Sequence, residues 1–402
     1  MWDKVAAHRK QPLSVRTVHL DTRMSDHGSD EDDLPDISYV RGNITNVQTS
    51  RFTVVTAQNG PQKDVLASPF SAVGLELAPL KTTNDFILML DRLHVPGPLT
   101  ILEALDSRHY IAKGGQFTVY RNEVLDDSDC SERTWLDRVA VKRCDFEHEE
   151  NRTLDLSSPR YRIQVQNMQR EVAALQDIRL KNHPNIVKLI GYGIDLRSWH
   201  ETPFLVMPLA LGDLRNILEV EKPPEVVHQM CLDVGYGLDA IHDCGLIHGD
   251  LKPENVLVFA TEDESIPLIA KLADFGLSMD EISGSHGGSV LISGYSPGWA
   301  APEVSRCYSE QSPVSIEDLM RFDCFSYGLV ILSSACFHGQ VPPSVAAYST
   351  PSALKSTLST VPSPFRQILG TALSALLHCN EAACPSRVGG LLIDETPACL
   401  IW

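Results

Sequence analysis

The stretch that decides the fold is His248-Gly249-Asp250-Leu251-Lys252-Pro253-Glu254-Asn255, and Asp274-Phe275-Gly276 follows it. Short apolar runs at 255–259 and 270–272 are typical of β-strands, so we expect both segments to lie on loops at strand ends. Aspartate and asparagine oxygens bind hard metal ions, and an aspartate can accept a proton. The pattern therefore predicts a site for metal and proton chemistry.

Three further motifs stand in order around this stretch. Val139-Ala140-Val141-Lys142 and Glu171, the latter in a predicted helix at 161–180, lie upstream, and Ala301-Pro302-Glu303 lies downstream. Together these motifs resemble the signature set of the protein kinase superfamily, in a version with a histidine-glycine-aspartate catalytic loop. The resemblance covers roughly residues 110–392.

This resemblance implies an α+β, bilobal protein-kinase-like fold. A small lobe at about 84–207 would contain an antiparallel β-sheet and one helix, and a larger, mostly helical lobe would occupy about 211–402. Apolar residues recur at spacings of three and four within 226–241, which predicts an amphipathic helix. Alternating patterns predict three consecutive strands, at 110–112, 117–125 and 138–142.

The family resemblance also implies ATP and Mg²⁺ as cofactors. Lys142 would reach the α- and β-phosphates of ATP, held in place by an ion pair with Glu171. Asp274 would bind Mg²⁺ between the β- and γ-phosphates, and Asn255 would hold a second metal ion.

The same resemblance assigns catalytic roles to the loop that contains Asn255. Asp250, five residues before it, would accept or orient the proton of the attacking hydroxyl group. Lys252 would stabilise charge beside the γ-phosphate. A lysine two residues after the aspartate is similar to the serine/threonine branch of the family rather than to the tyrosine branch.

The glycine-rich loop departs from the family pattern. Aligned on Val119, the three expected glycines fall at Ala112, Gly114 and Phe117, so only the middle one is retained, with Gly115 as an additional neighbour. The backbone at Gly114 and Gly115 would still approach phosphate closely. Phe117 must fold over the site or away from it.

The resemblance also implies an adenine pocket at the connection between the lobes. Met207 would guard the back of the pocket, and Pro208, Leu209 and Ala210 would form the connecting segment. Proline at 208 lacks an N–H group, so the backbone N–H of Ala210 is the expected donor to the adenine edge.

Two pairings are expected in the large lobe. The resemblance implies a buried ion pair between Glu303 and Arg387. Asp323 would stand near the start of a central helix, where it would hold the catalytic-loop backbone by hydrogen bonds, cap the helix, or do both.

Composition limits the remaining possibilities. The formal net charge of −18 opposes binding to nucleic acid, and the longest apolar run, 329–337, is too short to span a membrane. Residues 1–83 contain an acidic run at 25–36 and are predicted to form an acidic, partly disordered extension. Ten cysteines without a CxxC pair, and no secretory signal, favour the cytoplasm or nucleus.

Three functions compete at this stage. The motifs favour an active serine/threonine protein kinase acting on a protein substrate. The altered glycine loop leaves open a pseudokinase or scaffold with weak nucleotide binding. The histidine-glycine-aspartate loop also resembles small-molecule phosphotransferases of the aminoglycoside-kinase type, which lack the Ala301-Pro302-Glu303 segment. The oligomeric state is left open.

Gly249 generates a prediction about regulation, because many regulated kinases carry an arginine there that binds a phosphorylated activation loop. Without that arginine, a phosphate on the loop at 277–300 lacks its usual partner. Replacing Ser283, Ser285 and Ser289 with alanine, or treating the protein with phosphatase, should change kinase activity by less than about tenfold, or ~1.4 kcal/mol. A hundredfold loss would show that another cation, such as Arg143 or Arg170, binds the phosphate.

Overall fold

The computed structural model describes one early strand and most of the chain beyond Thr83. The described residues are 15–18, 83–101, 105, 108–113, 117–126, 133–144, 159–195, 202–280, 289–343, 351–377 and 388–393. The chain divides into two compact units, 1–18 together with 67–402, and 19–66. Every described residue belongs to the first unit. The acidic run at 25–36 lies outside them, and the limits of the extension and lobes stay predictions.

The small lobe is built on an antiparallel sheet. Its described strands are β1 (Val15–Val18), β2 (Thr100–Ile101), β3 (Tyr110–Lys113), β4 (Phe117–Asp126), β5 (Arg133–Cys144), β6 (Gly191–Asp195) and β7 (Thr202–Pro208). The order across the sheet is β2-β4-β5-β7-β6, with β3 beside β4 and β1 beside β5. The three strands expected from the alternating pattern are confirmed. β4 and β5 are longer than expected, because their hairpin pairing continues to Asp126 and Thr134.

Strand β5 shows why the alternating pattern is reliable. Val139 and Val141 are fully buried in an apolar cluster with Phe204 and Val206 of β7. Successive side chains of a strand point to opposite faces, so Lys142 faces away from that cluster. The apolar residues thus fix the direction of the lysine.

The described part of the small lobe also contains two helices. Helix α1 (Thr83–Arg92), which the sequence analysis did not predict, buries Phe86, Met89 and Leu90 in the main core. Helix α2 (Pro159–Gln176) ends four residues earlier than expected. The cause is Asp177, whose Oδ1 accepts the backbone N–H of Arg179 at 2.8 Å and so competes with a further helical turn.

The large lobe is mostly helical. Its described helices are α3 (Leu214–Leu218), α4 (Pro224–Asp243), α5 (Pro302–Glu310), α6 (Ile316–Cys336), α7 (Pro351–Thr357) and α8 (Ser363–Leu377). Short antiparallel strands join them in three groups, namely β8 (Gly212–Asp213) with β10 (Val256–Ala260) and β11 (Leu268–Leu272), β9 (Leu246–Ile247) with β12 (Met279–Asp280), and β13 (Ser289–Val290) with β14 (Val314–Ser315). The loop between β9 and β10 carries residues 248–255.

Helix α6 corrects the expected position of Asp323. The helix begins after Ser315, whose hydroxyl oxygen accepts the backbone N–H of Asp318 at 3.1 Å. Ser315 is therefore the N-cap, and Asp323 lies inside the helix rather than at its start. α6 is also the one described helix that is long and apolar enough to cross a membrane, but 67% of its most apolar window is buried inside the protein.

Deleting residues 1–82 should leave the two-lobed fold intact. In the described part of this segment, β1 pairs only with the outer end of β5, at 133–136, whereas the core begins with α1. We expect the thermal midpoint to fall by less than about 4 °C. Deleting residues 1–92 should be much more harmful, since burying each large side chain of α1 contributes about 1.5–3 kcal/mol. Early melting of the shorter deletion would contradict this boundary.

Candidate active site

The site is centred on the side chain of Lys142. Its ammonium donates to both carboxylate oxygens of Glu171, at 2.8 and 2.7 Å, and to Oδ1 of Asp274 at 3.0 Å. Burial alone would lower the pKa of Lys142, but the charges of Asp274 and Glu171 outweigh it, so the pKa is raised well above its ordinary value. Lys142 is therefore a fixed positive charge.

Asp274 has an unusual backbone conformation and one carboxylate oxygen without a partner among the described residues. Its φ of 61° and ψ of 70° are left-handed, a conformation that residues other than glycine rarely adopt. The carboxylate is 46% exposed, and Oδ2 has no protein partner in the described part of the chain. Partial burial would raise the pKa of Asp274, but the charge of Lys142 outweighs this effect and lowers the pKa. Asp274 is thus ionised, with one oxygen free.

The catalytic-loop residues form one hydrogen-bonded group. Lys252 donates to Asp250 Oδ2 at 2.7 Å, and the Asn255 amide donates to the same oxygen at 3.0 Å and to the Asp250 backbone carbonyl at 2.8 Å. The second carboxylate oxygen, Asp250 Oδ1, is buried and has no hydrogen-bond partner among the described residues. A buried carboxylate oxygen left unpaired is costly, and a functional role is one reason for a protein to keep such an atom.

Ser296 is a site residue that the sequence analysis missed. Lys252 donates to its hydroxyl at 2.6 Å, so the ammonium bridges Asp250 and Ser296. The available signal was a serine in the segment just before Ala301-Pro302-Glu303, but the analysis considered only serines further upstream.

Asp323 holds the backbone of the catalytic loop. Its Oδ2 accepts the N–H of His248 at 2.7 Å, and its Oδ1 accepts the N–H of Gly249 at 2.9 Å. His242 contributes a third contact, from Nε2 to Oδ2 at 3.1 Å. The expected backbone-holding role is present, and the alternative of a helix cap is wrong.

Gly249 occupies a place that no other residue fits well. Its φ is +76°, and an added Cβ would lie 2.7 Å from the Leu277 carbonyl oxygen. An arginine could not enter here without moving that segment. Two other cations could bind a phosphate on the activation segment (277–300). Arg143 pairs with Asp195 at 3.2 Å, while Arg170 Nη1 lies 3.4 Å from the Ser293 hydroxyl of that segment.

The predicted adenine contacts lie at the junction of the lobes. Met207 is buried at the end of β7 and belongs to the main core. The N–H of Leu209 bonds to the Arg138 carbonyl at 3.0 Å, and that of Leu211 bonds to the Val258 carbonyl at 2.8 Å. Among the described residues nothing accepts the Ala210 N–H, so this donor is available to a ligand.

Several residues of the predicted site lie outside the part of the chain that the structure describes. Val119 lies opposite Lys142 in the β4–β5 register. Gly114 and Gly115 lie outside the described residues, as do Ser283, Ser285 and Arg387. Glu303, the proposed partner of Arg387, is exposed, so the burial expected for that pair is wrong on its glutamate side.

A two-lobed structure with these charged groups at the junction is the architecture of a phosphotransfer enzyme. A family model described as the protein kinase domain matches residues 128–354, which is more than half of the chain. The chain therefore belongs to the protein kinase domain family.

Curated relatives agree with this assignment. An inactive tyrosine-protein kinase of Caenorhabditis elegans, kin-32, is 30% identical over 226 residues, covering 54% of this chain and 22% of that protein. A probable serine/threonine-protein kinase of Dictyostelium discoideum is 29% identical over 179 residues, covering 44% and 10%. Cyclin-dependent kinase 4 of Ovis aries is 38% identical over 114 residues, covering 27% and 36%. The chain therefore spans about a tenth to a third of the length of these relatives.

Replacing Asp323 with asparagine should destabilise the large lobe. The two backbone N–H groups would lose a charged acceptor, so we expect the free energy of unfolding to fall by about 1.5–3 kcal/mol. Denaturant titration would measure this as a lower midpoint with an unchanged slope. The matched control is Asp318→Asn on the same helix, whose carboxylate is 43% exposed and pairs with Arg321. Equal effects of the two substitutions would contradict the holding role.

Proposed function

We propose that this chain is an ATP- and Mg²⁺-dependent protein kinase that phosphorylates serine and threonine hydroxyls of proteins. The observation that carries the proposal is Asp250, which Lys252 and Asn255 hold through Oδ2, while no described residue donates to the buried Oδ1. A fixed carboxylate with one free oxygen suits a group that accepts a proton from a hydroxyl.

The donor set fits the implied cofactors. Asp274 Oδ2 and the Asn255 amide oxygen are hard ligands without protein partners in the described region, and such oxygens suit Mg²⁺. The ammonium groups of Lys142 and Lys252 suit phosphate oxygens, and the Ala210 N–H suits the edge of adenine. These residues would hold ATP and its metal ions.

Each residue has a separate task in the proposed reaction. Bound ATP with Mg²⁺ supplies the phosphoryl group that is transferred. Asp250 Oδ1 receives the proton of the attacking hydroxyl, and Lys252 stabilises the negative charge that develops nearby. Glu171 keeps Lys142 in position, so the ammonium remains aimed at the site.

Specificity for serine and threonine is supported by the contact between Lys252 and Ser296. This contact ties the activation segment to the catalytic loop beside Asp250, and it is made by the lysine whose position resembles the serine/threonine branch. The name of the Dictyostelium relative points the same way. The cysteines of the sequence, which include no CxxC pair, are the basis for proposing a reducing compartment, the cytoplasm or nucleus, as the location.

A pseudokinase is the second candidate. Phe117 at a glycine position and the inactive relative kin-32 favour it. Retention of Lys142, Glu171, Asp250 and Asp274 in bonded geometry favours the active kinase. A small-molecule phosphotransferase is disfavoured by the segment Ala301-Pro302-Glu303, which leads into helix α5.

The decisive experiment measures phosphate transfer from Mg²⁺-ATP by the purified full chain to mixed serine/threonine peptides and to tyrosine peptides. We expect transfer to the first group only. Lys142→Met and Asp274→Asn should each lower turnover by at least about a hundredfold, or ~2.7 kcal/mol. Asp263→Asn, in the exposed loop between β10 and β11, is the matched control and should have no effect.

Ligand-induced stabilisation separates the two candidates. ATP should raise the thermal midpoint only when Mg²⁺ or Mn²⁺ is present, because the triphosphate charge is otherwise uncompensated. Equal stabilisation with and without EDTA would overturn the metal assignment and favour a pseudokinase.

A further inference from the structure

The side chain of Phe117 covers the ammonium of Lys142. The lysine nitrogen lies 4.5 Å from the centre of the phenylalanine ring, and Phe117 is only 7% exposed and belongs to the main hydrophobic core. This distance is within the range of a cation–π interaction. Phe117 therefore occupies space beside the charge that is proposed to bind phosphate.

The register of the sheet explains this placement. β4 pairs with β5 so that Phe117 is opposite Cys144 and Val119 is opposite Lys142. Residues two apart in a strand share a face, so Phe117 and Val119 both face the side of Lys142. A glycine at 117 would leave this space open.

The hydrogen bonds of Lys142 leave it no free direction. An ammonium has three N–H donors, and here they contact the two oxygens of Glu171 and one oxygen of Asp274. The Phe117 ring covers a further side. A phosphate oxygen can approach the nitrogen only if the ring or a carboxylate moves.

Displacing the ring costs less than separating the buried ion pair. Glu171 is 1% exposed, and breaking its pair with Lys142 would leave an uncompensated buried charge. An aromatic ring leaving the cation loses a weak attraction and its burial in the main hydrophobic core. Glu171 therefore stays paired with Lys142, and the ring and the half-exposed carboxylate of Asp274 are the groups that can yield.

We propose that Phe117 is a plug of the triphosphate site. The ring must swing off Lys142 before the phosphates can bind, and this requirement weakens binding of the triphosphate without affecting binding of the adenosine part. The inference rests on the proposed nucleotide site. It means that the altered glycine loop controls nucleotide binding and has not simply lost its function.

The experiment compares Mg²⁺-ATP with adenosine by calorimetric titration of the full chain. For Phe117→Ala we expect the Kd of Mg²⁺-ATP to fall by at least about tenfold and the Kd of adenosine to change by less than about twofold. Tyr120→Ala is the matched control, since Tyr120 lies on the same strand and its ring pairs with Arg143, 5.5 Å away, instead of Lys142. It should change neither Kd.

Phe117→Leu keeps the result decisive if the alanine variant does not fold. Leucine preserves apolar bulk but has no ring to cover the ammonium, so the Kd of Mg²⁺-ATP should fall by about threefold. Unchanged ATP binding in the folded Phe117 variants, or equal tightening of ATP and adenosine, would overturn the plug while the nucleotide site stands. Absence of binding by both ligands to every variant would overturn the proposed function as well.

Discussion

The ammonium of Lys142 is the interaction on which the rest of the site depends. It joins β5, helix α2 through Glu171, and the loop that carries Asp274. Glu171 is almost fully buried, and a buried carboxylate without a cation is strongly destabilising. The small lobe can therefore place α2 against the sheet only with Lys142 in its present direction. That direction is set by Val139 and Val141, which bury the opposite face of β5.

A second set of contacts, from the large lobe, holds the catalytic loop. Asp323 lies inside helix α6 and binds two consecutive N–H groups of the catalytic loop, at His248 and Gly249. A helix interior is among the most rigid places in a protein, so the loop takes its position from α6 rather than from its own sequence. The left-handed backbone at Gly249 then turns the chain so that Asp250 faces the site. The polar groups of the site lie on irregular backbone, and they are held by strand β5 from the small lobe and by helix α6 from the large lobe.

The sequence predicted the parts of the structure that depend on local pattern. Strands β3, β4 and β5 follow from alternating apolar residues, and helix α4 follows from their three-to-four spacing. Helix α1 was missed because 86–90 is an unbroken apolar run, which does not distinguish helix from strand. The start of α6 was misplaced although Ser315 and Asp318 have the spacing of a helix cap. The contact between Lys252 and Ser296 could not be derived from spacing, because packing of the activation segment brings these residues together.

The charge balance of the site links the proposed metal ions to the Phe117 ring. Two ammonium groups, of Lys142 and Lys252, face three carboxylates, of Glu171, Asp250 and Asp274. The protein alone therefore presents a net negative charge to an anionic triphosphate, within a chain that is itself acidic. In the proposed function, divalent cations on the oxygens of Asp274 and Asn255 would reverse that balance. The face of the Phe117 ring is a neutral group that contacts Lys142 without adding negative charge to a site that already has an excess.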